Sequence, residues 1–159
     1  MVLATLVTLS PDCAGEALTL QRAAYVTEAQ QYDDPHIPPL LETLEALRAG
    51  LADPAVVGLG LREGTRLVGA VRCRVEEGVG AIGRLVVAPD RQRTGLGGLL
   101  LEAVEQAVRG RVSRLAIFTG ERSAGNRRLY AGHGYVEVRR ESPPGGITMV
   151  HLEKPLPST

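Results

Sequence analysis

The segment APDRQRTGLGGLLLEAVEQAV, residues 88–108, decides the fold of this chain because it joins a glycine-rich turn to a long helix pattern. Arginines and glycines come first, and apolar residues then recur at positions i, i+3 and i+4, which predicts an amphipathic helix. The first N–H groups of a helix have no partners within it, and the helix dipole makes that end positive. Since glycine lets a ligand come close to the backbone, the segment predicts an anion site suited to a pyrophosphate. A strand–helix turn with solvated arginines is the alternative interpretation.

The residues around this helix predict the strands of one mixed sheet. Alternating apolar residues between 57 and 87, with turns at 63–65 and 76–78, predict antiparallel strands before the helix. A strand over 112–120 follows, and such a strand–helix–strand crossover implies a parallel pair. A first strand over 2–9, two N-terminal helices, a short helix after Ser123 and a final hairpin complete the order β α α β β β α β α β β. The predicted fold class is α/β (α+β): a mixed, mostly antiparallel sheet of about seven strands flanked by about four helices.

Local chemistry predicts details of the two N-terminal helices. Ser10 is expected to cap the first helix, with Pro11 at its first position. The second helix is expected to end near Gly50 and to place four leucines on one face: Leu40, Leu44, Leu47 and Leu51.

Composition limits the classes of function. The 159 residues fit one domain, 1–159. Eighteen basic and eighteen acidic side chains cancel, which argues against nucleic acid as a partner. Cys13 and Cys73 are too far apart in sequence to indicate a disulfide framework or a metal site. The opening residues lack a basic region and are too few for a signal peptide or a membrane span, so a cytoplasmic protein that binds no membrane and no metal is expected.

Two segments carry a family resemblance. RLVVAPDRQRTGLGGLLLEAV, residues 84–104, resembles the signature of the GNAT superfamily of acyl-CoA-dependent N-acyltransferases, whose Gln/Arg-x-x-Gly-x-Gly/Ala core is matched by Gln92, Gly95 and Gly97. NRRLYAGHGYVEV, residues 126–138, resembles the second family motif, an Asn, then Leu-Tyr, then a Gly–aromatic pair that opens a strand. The two motifs stand in the family's order, one strand apart. The resemblance implies the GNAT fold, acetyl-CoA as co-substrate and no metal.

The resemblance also implies site residues. The backbone amides of the glycine-rich turn would hold the pyrophosphate of acetyl-CoA, and the preceding strand would pair with its pantetheine arm and stabilise the developing negative charge. Tyr130 is the candidate catalytic residue, the general acid that protonates the departing thiolate. The candidate cofactor-binding residues are Leu85, Val86, Val87, Gln92, Arg93, Thr94, Gly95, Leu96, Gly97, Gly98 and Asn126.

The general base and the acceptor site are less clearly marked. Ala81 stands where many members of the family carry a glutamate, so the usual base is missing. The loop after the first helix, which usually forms the acceptor pocket in this family, carries Asp33, Asp34 and His36 as candidate substrate-binding residues. The acidic pair would suit a cationic amine, and His36 titrates near neutrality and is a candidate base. Glu76 and Glu77, in the turn before the fourth strand, could act as a base through water, with solvated side chains as the alternative.

The function expected from these features is an N-acetyltransferase that transfers an acetyl group from acetyl-CoA to a primary amine of a small molecule by direct attack. A protein or peptide amine as acceptor, and an acyl-CoA-binding sensor without turnover, are the alternatives, because fold does not fix substrate. The edge strands of the final hairpin could pair between two copies, which makes a homodimer a candidate assembly.

Overall fold

The computed structural model describes residues 3–157, whose seven strands form one sheet in the order β1-β2-β3-β4-β5-β7-β6. The strands are β1 (Ala4–Thr8), β2 (Val56–Glu63), β3 (Arg66–Glu76), β4 (Val79–Val87), β5 (Arg114–Gly120), β6 (Val136–Glu141) and β7 (Met149–Pro155). The α-helices are α1 (Ala14–Gln31), α2 (Pro38–Leu41), α3 (Leu44–Ala52), α4 (Leu96–Val108) and α5 (Ala124–Gly132). Short 3₁₀ turns, Pro11–Cys13 and Pro89–Arg91, precede α1 and the glycine-rich turn. None of the described helices combines the length and apolar character that spanning a bilayer requires.

The predicted fold class is confirmed. The β2–β3–β4 meander is antiparallel, and β4 pairs with β5 in parallel across the α4 crossover. Strand β7 lies between β5 and β6 and is antiparallel to both, so the final hairpin leaves β6 at the edge with all six of its residues exposed. Residue 2 of the predicted first strand lies outside the described residues, and the single-domain boundary 1–159 stays a prediction.

The N-terminal helices differ from their prediction in two details. Ser10 makes no capping hydrogen bond, because Pro11–Cys13 forms a 3₁₀ turn and α1 begins only at Ala14. The second predicted helix is two helices, since Thr43 adopts an extended conformation and its side chain accepts a hydrogen bond from the Ala46 N–H at 3.1 Å. That N-cap starts α3 in a new direction. Leu44, predicted on the buried face, is consequently 37% exposed.

The core lies on both faces of the central strands. Five consecutive residues of β3, Leu67–Val71, are buried, which requires cover on both sides of the sheet. Helix α4 covers the face of Gly69, where a Cβ would lie 2.9 Å from Leu100 Cδ1. Helices α1 and α3 cover the face of Ala70 and Arg72. The strand that adjoins β4 is therefore packed on both of its faces.

Strand β4 bends away from β5 soon after the two strands begin to pair. Their pairing covers only Val79–Ala81 against Arg114–Ala116. Beyond it, a β-bulge opposes Ala70 and Arg72 of β3 with Val86 and Gly83, and Arg84 within the bulge has a φ of +51°. A bulge bends its strand and increases the local twist. A notch therefore opens between the second halves of β4 and β5.

Candidate active site

A cavity of about 440 Å³ occupies the notch between β4 and β5. This volume is within the usual range for pockets that bind small molecules. Four elements supply most of its wall: β4, β5, α5 and the last turns of α1. The lining residues are Tyr25, Glu28, Tyr32, Asp34, Ile37, Pro38, Pro39, Ile82, Gly83, Arg84, Leu85, Ile117, Phe118, Thr119, Gly120, Asn126, Tyr130, Pro143, Ile147 and Met149.

The C-terminal end of α1 is fastened over the end of β5. The Tyr32 hydroxyl accepts a hydrogen bond from the Arg122 N–H at 2.8 Å, and Gln31 Nε2 donates to the Arg122 carbonyl at 2.7 Å. The Tyr32 ring lies directly on Gly120, where a Cβ would come within 2.6 Å of its Cζ. Only glycine permits this close approach. The contact closes one side of the cavity and fixes α1 against the notch.

Tyr130 and Asn126, both in the second sequence motif, line the cavity from α5. Tyr130 is 4% exposed, and its hydroxyl makes no hydrogen bond within residues 3–157. Burial, together with the nearby Tyr25 and Glu28, raises the pKa of Tyr130 far above its ordinary value. The phenol is therefore protonated at neutral pH and is a hydrogen-bond donor on the cavity wall. Asn126 is exposed, and its Nδ2 donates to Thr119 Oγ1 at 3.3 Å.

The glycine-rich turn has the backbone geometry of an anion site. Gly95 caps α4 with a φ of +89°, in the left-handed region that favours glycine. The first bond to Gly95 O comes from the Leu99 N–H, so the N–H groups of the first turn have no partners within the helix. Arg93, with a φ of +65°, is exposed beside them. These features fit a pyrophosphate at the N-terminus of α4.

Two of the three glycines also serve the packing of α4 on α5. A Cβ at Gly97 would lie 3.1 Å from Leu129 Cδ2, and one at Gly98 would lie 3.0 Å from His133 Nε2. The side chains of Gln92 and Thr94 donate to the carbonyls of Val87 and Arg91, which stabilises the turn itself. The anion site predicted for this turn would therefore rely on its backbone amides.

The remaining predicted residues divide between the cavity wall and other surroundings. Leu85 and Asp34 line the cavity, whereas Val86 is 5% exposed in the core and Val87 packs against the core. Asp33 and His36 are exposed and outside the lining, and the His36 side chain is 77% exposed. The Asp34 carboxylate accepts the backbone N–H of His36 at 2.8 Å, and His36 Nδ1 lies 4.0 Å from the same oxygen. The roles assigned to all these residues stay predictions.

Sequence reasoning missed five polar cavity residues: Tyr25, Glu28, Tyr32, Arg84 and Thr119. Tyr25, Glu28 and Tyr32 had a signal, because they follow the spacing i, i+3, i+7 along one face of α1 and its C-cap residue. Arg84 had none, since the bulge that turns it toward the cavity leaves no trace in the apolar pattern. Ala81, at the position of the missing glutamate, is exposed and pairs with Ala116 just before the strands separate.

Arg84 belongs to an ion-pair network centred on Glu42. Glu42 accepts two hydrogen bonds from Arg72, at 2.6 and 3.0 Å, and one from Gln21 at 2.8 Å, and Arg84 Nε lies 3.4 Å from the same carboxylate. Burial opposes the ionisation of Glu42, but these partners outweigh it and lower its pKa to about 2. Glu42 is thus a fully engaged structural carboxylate and a poor proton acceptor.

Comparisons with known proteins agree with this geometry. The family model described as "Acetyltransferase (GNAT) domain" matches residues 26–156. The chain is 38% identical over 97 residues to the mycothiol acetyltransferase of Kineococcus radiotolerans, an alignment that covers 58% of this chain and 32% of that protein. The chain therefore spans about a third of the length of this curated relative.

Solved structures show the same fold at low sequence identity. The ribosomal-protein-S18-alanine N-acetyltransferase from Escherichia coli superposes with a TM-score of 0.81 at 18% identity, covering 97% of this chain and 94% of that one. The PaiA N-acetyltransferase from Thermoplasma acidophilum, in complex with coenzyme A, gives a TM-score of 0.74 at 14% identity, covering 94% and 98%. The separation of β4 from β5 and the glycine at the start of α4 agree with that fold. Because the family model matches residues 26–156, which is most of the chain, the chain belongs to the GNAT acetyltransferase family.

Proposed function

We propose that this acetyltransferase transfers the acetyl group of acetyl-CoA to the primary amine of a small molecule, by direct attack while both substrates are bound. The observation that carries the proposal is a single cavity that joins the notch between β4 and β5 to the last turns of α1, with the Tyr130 hydroxyl on its wall. The cavity is of small-molecule size, which supports a small acceptor over a protein side chain. The relative named as a mycothiol acetyltransferase supports the same class.

Separate parts of the chain would hold the pyrophosphate and the pantetheine arm of acetyl-CoA. The amides at the N-terminus of α4 would hold the pyrophosphate, and Asn126 would contact the pantetheine arm near Thr119. Because β4 pairs with β5 only as far as Ala81, its edge from Gly83 to Leu85 is turned to the cavity. That edge would receive the amides of the pantetheine arm as an added strand does.

Acetyl-CoA supplies an activated thioester whose leaving thiol has an ordinary pKa near ~8.5. The chain supplies the proton and the electrostatics. Tyr130 holds its phenolic proton at neutral pH and delivers it to the departing sulfur. A backbone N–H on the cavity edge of β4 stabilises negative charge that develops on the carbonyl oxygen.

The test is turnover with purified protein, acetyl-CoA and a panel of primary amines, read as thiol release and as the mass of the acetylated product. We expect release above the hydrolytic background with at least one small amine. Release only with peptides would move the acceptor to the protein class. Saturable acetyl-CoA binding without release in any reaction would show a sensor and refute the proposal. Size-exclusion chromatography in the same preparation tests the predicted homodimer.

A further inference from the structure

Glu28 is placed to meet an acceptor in the cavity. It lies in the last full turns of α1, lines the cavity and is partly buried. Its Oε1 accepts a hydrogen bond from Ser123 Oγ at 2.9 Å, and Ser123 is the residue directly before α5. The carboxylate is thereby tied to the helix that carries Tyr130, which fixes the two side chains relative to each other.

Within residues 3–157, no Lys, Arg or His nitrogen lies within 4.0 Å of the Glu28 carboxylate. The other carboxylates that are not exposed each have a Lys, Arg or His nitrogen within 4.0 Å, and these are Asp34, Glu42, Asp53, Glu63, Glu105, Glu121 and Glu153. Over residues 3–157, Glu28 is the exception. A partly buried carboxylate is costly unless it is paired. A cation bound in the cavity would therefore pair with the Glu28 carboxylate and offset the cost of its burial.

Glu28 also has the properties of a proton acceptor. Burial raises the pKa of its carboxyl above the ordinary value, although the hydrogen bond from Ser123 opposes this rise. A raised pKa brings a carboxylate closer to the operating pH and makes it a more effective base. The other titratable groups on the cavity wall are Tyr25 on the same helix, Tyr32, Asp34, Arg84 and Tyr130. Among these, Asp34 already accepts a backbone N–H, and the Tyr32 hydroxyl accepts the Arg122 N–H. Burial raises the pKa values of Tyr25 and Tyr130, so both phenols keep their protons.

The rest of the wall fits an apolar body beside the amine. Ile37, Ile117, Phe118, Ile147 and Met149 contribute aliphatic and aromatic surface. Phe118 and Ile147 retain exposure, so a ligand that covers them removes apolar area from water.

Together these observations identify the acceptor-side group. Resting on the proposed function, we propose that Glu28 binds the ammonium group of the acceptor and takes its proton, and that the acceptor is a primary amine carried on an apolar body. Glu28 thus supplies the carboxylate that Ala81 does not.

The proton and bond changes balance. The Glu28 carboxylate removes one proton from the ammonium, and the nitrogen lone pair then forms the C–N bond with the acetyl carbon while the C–S bond breaks. Tyr130 gives its proton to the sulfur and regains the second proton that nitrogen loses. The third proton stays on the amide. The proton held by Glu28 leaves to solvent, so the products are the amide, the thiol of CoA and one proton.

The decisive experiment compares Glu28→Gln with Glu45→Gln, which neutralises an exposed carboxylate on α3. The probes are acetyl-CoA with 2-phenylethylamine and with ethylamine. Wild type should show a level kcat/KM across neutral to mildly alkaline pH, because Glu28 generates the free amine. Glu28→Gln should fall about a hundredfold at neutral pH and should regain about tenfold per pH unit as the amine ionises by itself. Glu45→Gln should match wild type, and wild type should prefer 2-phenylethylamine about tenfold or more.

Several results would overturn the assignment. Parallel pH profiles for Glu28→Gln and wild type would remove Glu28 as the proton acceptor, and a preference for ethylamine would remove the apolar body. In both cases an active wild type leaves the proposed function standing, whereas a wild type that acetylates no amine refutes that function and this assignment with it. Calorimetric titration with acetyl-CoA checks that Glu28→Gln is folded. If it is not, Glu28→Asp, one methylene shorter, should lose at least about tenfold in kcat/KM, and unchanged kcat/KM there would be equally decisive.

Discussion

Tyr130 and Tyr135 are two buried tyrosines with different partners, and their phenylalanine variants should separate catalysis from stability. Their ring centroids are 6.2 Å apart, and the residues are 4% and 3% exposed. The Tyr130 hydroxyl faces the cavity, whereas the Tyr135 hydroxyl donates to Oε1 of the buried Glu105 at 2.9 Å. The same ring is kept in both variants, so each removes one hydroxyl and little packing.

The structure sets the size of each effect. Tyr135→Phe removes a hydrogen bond to a charged acceptor, worth about 1.5–3 kcal/mol. Glu105 keeps Lys154 Nζ at 3.1 Å from both oxygens, which favours the low end and a fall in Tm of roughly 3–6 °C. Tyr130→Phe leaves no partner unsatisfied, so its Tm should stay within about 2 °C of wild type. Its kcat should fall by roughly a hundredfold, the low end for general acid catalysis because a thiolate is a good leaving group.

Scanning calorimetry and steady-state thiol release with the best amine measure both quantities on both variants. Tyr135→Phe should retain near-normal kcat, and Tyr130→Phe should retain its affinity for CoA. A stable Tyr130→Phe with unaltered kcat would show that Tyr130 is a packing residue and that the sulfur is protonated by water. Equal losses of activity in the two variants would show that the effect passes through packing.

Three further changes test other parts of the molecule. Gly95→Ala should lower the unfolding free energy by about 1–2 kcal/mol, because the φ of +89° is strained for alanine while no atom lies within 4 Å of the added Cβ; an unchanged Tm would contradict this. Glu42→Gln should be less stable than wild type at neutral pH, and the difference in urea midpoint should vanish as pH falls from about 4.5 to about 2. The reason is that the pKa of Glu42 is lowered to about 2 in the folded protein, so the stability that its ionised form contributes is complete above pH 4.5 and is lost as the carboxylate becomes protonated. Asp34→Asn should raise the acceptor KM severalfold and leave the acetyl-CoA KM unchanged, because Asp34 lines the cavity. The neighbouring Asp33 is exposed and outside the lining, so Asp33→Asn should change neither KM. Equal effects in the two variants would remove Asp34 from the acceptor site.

The sequence predicts this molecule best where local signals agree. The meander and α4 follow from alternation, helical periodicity and the glycines between them, and all are present in the structure. The division of the second helix into α2 and α3 was missed because it depends on distant contacts. Glu42 leaves the helical conformation and binds Arg72 of β3, thirty residues away in sequence. Nothing in the local pattern of leucines records that contact.

The same reasoning explains why the acceptor side is harder to predict than the CoA side. The site expected for CoA is built from backbone at the N-terminus of α4 and the edge of β4, so glycine spacing reveals it. The acceptor side is built from side chains of α1 whose importance depends on where that helix is fastened. The contact of Tyr32 with Gly120 brings α1 over the end of β5, and only then does Glu28 face the cavity.

The position of the carboxylate follows from where the strands separate. At Ala81, β4 and β5 are still paired, and the notch opens only beyond it. A proton acceptor must lie within hydrogen-bond reach of the attacking amine. This requirement determines where the carboxylate lies but not which helix or strand carries it. Glu28 approaches the notch from α1, where the hydrogen bond from Ser123 holds it beside the helix of Tyr130. A carboxylate on α1 can therefore replace one on β4 without any change to the backbone that would bind CoA, and the acceptor preference can change with α1 while the sheet stays as it is.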